Sequence, residues 1–188
     1  MEKLMKQIVS VPSPISRRAC TFGLAFAGLA LTAVRPAWAF DRAAYLARLD
    51  ATRAELVKRT LADSSATLAR LDELVTIGTV ALREYGAKNP KYAKLMEAVI
   101  ANASDMKTYS DSQLEDLWGE KGNGGDAVGV PLKSLGDFDP TRNVMELIIG
   151  PSAAYIHIKK WQTAQRAKWL DQASDELHET AEHLNRIK

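Results

Sequence analysis

Cysteine is nearly absent from this 188-residue chain: Cys20 is the single one. Everything C-terminal to it therefore lacks structural disulfides, thiolate zinc sites, cysteine-ligated iron–sulfur clusters, covalent c-type haem and a cysteine nucleophile. Strand-like alternation of useful length is missing after residue 39, and so is any internal repeat. The apolar run Phe22 to Val34 has 13 residues, short of the roughly 20 that a helix needs to cross a bilayer. No permanent membrane anchor is expected. Histidine is scarce, with three residues in all.

The first 39 residues carry the parts of an export signal. Lys3, Lys6, Arg17 and Arg18 supply a positive start, Phe22 to Val34 an apolar core, and Ala37-Trp38-Ala39 the small residues at a cleavage point, features gripped by the translocation machinery and its peptidase. Cleavage is expected before Phe40. The paired arginines in Ser16-Arg17-Arg18, the mild Ala/Gly-rich core and Arg35 near the cleavage point resemble a twin-arginine (Tat) signal. Where that pattern usually has an apolar pair after the arginines, this chain has Cys20 and Thr21. The resemblance covers residues 1–39 and implies passage through the Tat translocon, removal by signal peptidase and a periplasmic destination. Cys20 stands before the apolar core, which is the wrong order for a lipoprotein.

Removing residues 1–39 takes away five basic side chains and one acidic one, leaving 20 basic and 22 acidic in the remaining 149 residues, net −2. The basicity of the full chain, formally +2, belongs to its start. Without a clustered positive surface, nucleic acid is not an expected partner. A length of 149 residues suits one domain with its own core.

Helical periodicity fills that domain. Tyr45, Leu49, Thr52 and Leu56 recur at steps of four and three over Asp41 to Thr60, and Leu68, Leu71, Val75, Gly78, Leu82 and Tyr85 repeat the pattern out of register with it. The slip and the run Asp63-Ser64-Ser65 predict a break near residues 60–65. Gly78 occupies a seam position, a cost of about 1 kcal/mol in a helix, and its expected use is to admit another helix closely. Asn89-Pro90 starts a third helix to about Ala103, and Ser110-Asp111-Ser112-Gln113 matches a capping box for a short helix to Trp118. Five glycines between Gly119 and Gly129 predict a long loop. Its Glu120-Lys121-Gly122-Asn123 lacks the Gly-Lys-Ser/Thr ending of a phosphate loop. Asp139-Pro140 opens a helix to Ile149, Gly150-Pro151 is expected to break it, and a last helix is expected from about Pro151 to Ile187, with Leu170, Ala173, Leu177, Ala181 and Leu184 inside. The fold class is all-α: a bundle of about four principal helices, with one or two short helices and a Gly-rich loop before the long C-terminal helix.

On that last helix His178 and Glu182, and Glu179 and His183, are spaced i, i+4, a spacing at which either pair can hold one divalent metal. The competing reading is a solvated face, since Asp175, His178, Glu179 and Glu182 lie opposite the apolar stripe. The stretch from His178 to His183 is not a zincin motif, because its second histidine comes one residue too late. His157 and Trp161, also i, i+4, fall on the same side, and Trp118 at the start of the loop can join them. Either the chain's own 119–140 segment covers this patch, or a ligand or partner does. No nucleophile-elbow pattern occurs.

These residues point to a periplasmic binding or accessory protein without catalysis of its own, working through the 119–140 loop and the start of the last helix, with a periplasmic protein among the expected partners and no cofactor. Two other classes remain open: a redox or storage bundle holding a divalent metal or non-covalent haem, and a homo-oligomeric envelope protein.

Overall fold

A computed structural model describes residues 39–136 and 139–187. The export motif Arg17-Arg18 and most of the cleavage region, including Ala37, lie outside the described residues. Among the described residues there are six α-helices and no strand: α1 (Arg42–Leu56), α2 (Ser64–Lys88), α3 (Ala93–Met106), α4 (Asp111–Trp118), α5 (Pro140–Ala164) and α6 (Lys168–Arg186). The all-α bundle expected from periodicity is the observed architecture. None of these helices is long and apolar enough to cross a membrane.

Four helices begin on a side-chain cap that satisfies an otherwise unpaired N–H. Asp41 accepts from Ala44 N, Asp63 from Ala66 N and Asp139 from Thr141 N, while Ser110 and Gln113 form the reciprocal capping box. The predicted slip separates α1 from α2, so the two are not one continuous helix. α1 stops at Leu56, its last buried residue; Val57 beyond it is 65% exposed, and Arg59 turns the chain with a φ of 57°.

Helix α5 is the centre of the bundle, packing on α6, α2, α3 and α4, while α1 bridges α6 and α2. Gly78 does what its seam position predicts. A Cβ there would lie 2.5 Å from the Leu147 carbonyl oxygen, so the α2 and α5 backbones meet where only glycine fits. The stripe Leu170, Ala173, Leu177, Ala181 and Leu184 is buried throughout, and each fully buried leucine contributes roughly 1.5–3 kcal/mol.

The expected break at Gly150-Pro151 does not occur. α5 runs straight through it, and the chain instead turns at Gln165, a non-glycine residue in the left-handed region (φ 50°). Proline within a helix deprives the carbonyl four residues earlier of its N–H partner. Here that carbonyl is Leu147 O, and the buried Tyr45 hydroxyl donates to it at 2.8 Å. Gly150 in turn lets α6 approach, since a Cβ would meet Thr180 Oγ1 at 2.0 Å. The Gly-Pro pair serves packing between helices. The 119–140 segment accordingly precedes α5, and His157 and Trp161 belong to α5 rather than to the last helix.

Candidate functional site

The glycine-rich segment folds back on α4. Asn123 N and Gly124 N donate to the carbonyls of Asp116 and Leu117, and Gly124 lies against the Trp118 ring so closely that a Cβ would come within 2.9 Å. Trp118 is left 3% exposed, so the chain's own loop covers it. From α5, Arg142 Nη2 donates to Glu120 O (2.6 Å) and Leu132 O (2.9 Å), fastening both arms of the loop with one guanidinium.

Below this fastening lies a cleft of about 320 Å³ between α4, α5 and α6. Its walls carry Glu115 and Asp111 from α4, Glu120 from the loop, Glu146 from α5, and Glu176 and Glu179 from α6. Arg142 supplies the fixed positive charge of the lining, and Leu114, Ile149 and Ala153 an apolar strip. Such a volume is at the lower end of small-molecule sites.

Glu146 sits in the middle of the apolar run Val144 to Ile149 and is held up at about 8 by burial, reinforced by the charges of Glu176 and Glu179 and opposed by Arg142. Glu179 is also raised, by burial first and then by Glu176, Asp175 and Glu182. The cleft therefore gathers carboxyl groups and biases them toward the neutral, protonated form, because burial and like charges both disfavour ionisation.

His157 borders the same cleft with a side chain 7% exposed. Its Nδ1 has no hydrogen-bond partner, the Asp111 carboxylate being 3.9 Å away, and its Nε2 stands 3.7 Å from Glu176 Oε1. The ring stacks on Trp169 at 6.0 Å and 16°, and Lys160 and Lys168 cover that indole. Lys160 also pairs with Asp111. An unpartnered buried imidazole nitrogen costs free energy, which a ligand donor or acceptor in the cleft would recover.

His183 Nδ1 donates to Asn143 Oδ1 at 2.7 Å, and burial, aided by Arg186, lowers its pKa, so the neutral ring presents Nε2 as an acceptor. His178 turns the other way, accepting from Arg53 Nη2 at 2.9 Å and approaching Glu182 at 3.5 Å on the exposed face. The four residues considered for metal are thereby divided: Glu179 and His183 border the cleft, whereas His178 and Glu182 do not. Among the described residues no three His, Cys, Asp or Glu side chains converge closely enough for a metal ion.

Of Trp118, His157 and Trp161, His157 alone lines the cleft. Trp161 is half-buried against the core. Sequence reasoning missed Glu115, Arg142, Glu146 and Glu176. The signal for Glu146 was available: it is the only charged residue between Val144 and Ile149, and a carboxylate in an apolar helical run is seldom buried without a reason.

No family model matches the chain, and no curated protein or solved structure does either.

Proposed function

We propose that this is an exported, periplasmic binding protein without catalysis of its own, and that the cleft between α4, α5 and α6 takes a small organic cation. The observation that carries the proposal is Glu146: a half-buried carboxyl held protonated, beside Glu176 and Glu179, in a space large enough for a ligand. A positive ligand would offset the burial, and after it the like charges of Glu176 and Glu179, that keep Glu146 protonated near neutrality.

An ammonium group on a short alkyl body suits the lining better than a bare metal ion. The carboxylates surround a volume of about 320 Å³ instead of converging on a point, and Leu114, Ile149 and Ala153 offer methylene-compatible surface beside them. His157 Nδ1, which has no partner, and the Nε2 of His183 add hydrogen-bonding positions. The Tat-like start supports the export part of the reading.

Calorimetric titration of the exported protein with a short aliphatic diamine, the matching monoamine and magnesium, calcium and zinc salts tests this. Saturable binding of an amine, weakened at least tenfold by Glu176→Gln, is the expected result. Absence of amine binding, or equal binding by Glu176→Gln, would reject the cleft as a cation site. Recovery in the cytosolic fraction would reject the export reading.

A further inference from the structure

Helix α1 begins two residues after the position where the export reading places the cut. Ala39 is exposed, Phe40 is half-buried, and Asp41 is already the N-cap of α1. The Phe40 ring tilts against Tyr45 at 5.9 Å and 60°, and its main-chain N–H donates to Glu84 Oε1 on α2 at 2.7 Å. Glu84 is half-buried and has no other hydrogen bond or ion pair among the described residues. A carboxylate reserved for one main-chain nitrogen, at the one position where a cut would make that nitrogen a cation, calls for an explanation.

We propose that processing between Ala39 and Phe40 creates an α-ammonium that Glu84 holds, fastening the new amino terminus to α2. This rests on the export reading above and is independent of the cleft. Signal peptidase adds water across the peptide bond: the C–N bond breaks, Ala39 leaves as a carboxylate, and the Phe40 nitrogen takes up protons. The neutral N–H donor thereby becomes a charged one, and charge-assisted hydrogen bonds are roughly twice as strong as neutral ones.

The surrounding groups leave this pairing open. Arg42 of α1, which lines the same pocket as Phe40 and Glu84, is engaged by Ile187 O at 2.7 Å and Asn185 Oδ1 at 3.4 Å. The Tyr85 hydroxyl bonds to Thr141, and the Asp41 carboxylate caps α1. Lys88, one turn beyond Glu84, is exposed and makes no ion pair with it among the described residues. Val144 and Ile187 add apolar walls to the pocket that Phe40 and Glu84 share.

The test uses the full chain expressed in an exporting host and recovered from the periplasm. Intact mass and amino-terminal sequencing identify the first residue, and trace acetylation across pH, read by peptide mass, titrates its α-amine. The expected chain starts at Phe40, its amine titrates above the ordinary range of about 7.7–8.0, and Glu84→Gln returns it there, with labelling at pH 7 about three- to tenfold faster than in the unsubstituted protein. A chain starting elsewhere, or retaining Met1, would overturn both the export reading and the clamp. A chain starting at Phe40 with an ordinary amine would overturn the clamp and leave export standing. If Glu84→Gln does not accumulate, the titration of the unsubstituted protein decides between these two outcomes.

Discussion

The Tyr45 hydroxyl on α1 donates to the Leu147 carbonyl on α5 at 2.8 Å, and this is the carbonyl that Pro151 deprives of its helical partner. The same oxygen lies against Gly78 of α2. Three helices thus meet at one main-chain atom. Burial holds the Tyr45 phenol well above its usual range, so it stays protonated and donating at any ordinary pH.

Tyr45→Phe is expected to destabilise the protein by about 1–3 kcal/mol, the cost of an unsatisfied buried acceptor. In a Pro151→Ala background the restored N–H serves Leu147, so the same substitution should cost measurably less. Urea denaturation of the four proteins of this cycle gives the coupling. A cost unchanged by Pro151→Ala would show that the hydroxyl does not stand in for the missing donor.

Gly78→Ala is expected to lose about 1–3 kcal/mol, as overpacking does in well-filled cores. The atom it meets is main chain and cannot rotate away. Gly136→Ala is the control, because a Cβ there has nothing within 4 Å. Thermal melts of the two variants should differ by several degrees.

Glu146→Gln should stabilise the protein, and the gain should depend on pH. Between its ordinary value of 4.5 and about 8, Glu146 keeps a proton in the fold that it loses in the unfolded chain. Stability therefore falls as pH rises through that window. The variant should match the unsubstituted protein near pH 4 and exceed it by about 2–4 kcal/mol at pH 9, as measured by chemical denaturation. Equal stability across the range would mean that Glu146 ionises freely.

Binding of an ammonium ligand should release protons and strengthen as pH rises from 6 toward 8. Glu146 is protonated at the lower end and must ionise to meet the cation. Titrations in buffers of different ionisation enthalpy read the released protons directly. An affinity independent of pH would place the ligand away from Glu146.

The α1 and α2 stripes, the Asp63 cap, the Ser110–Gln113 box and the purpose of Gly78 were all legible in sequence, because each depends on residues a few positions apart. The fate of Gly150-Pro151 was not. Its breaking tendency is cancelled by Tyr45, roughly a hundred residues earlier, and no local pattern carries that information. The real turn left a weaker trace: Gln162 to Lys168 contains no large apolar side chain, a gap in the stripe that runs up to Trp161 and resumes at Trp169. Placing the turn wrongly also put His157 on the wrong helix. The cleft was hidden for the same reason, since Glu115, Glu146 and Glu176 come from three helices and meet only once the bundle closes.

Arg142 joins two matters that a linear reading keeps apart. Its guanidinium walls one end of the cleft and is also the buckle of the glycine strap, holding Glu120 O and Leu132 O together. A guest carrying an anionic tail would compete with those carbonyls for the same N–H groups, slackening the strap as it entered. Arg142 in this way ties the tautness of the cover to what enters beneath it, and neither can drift without the other.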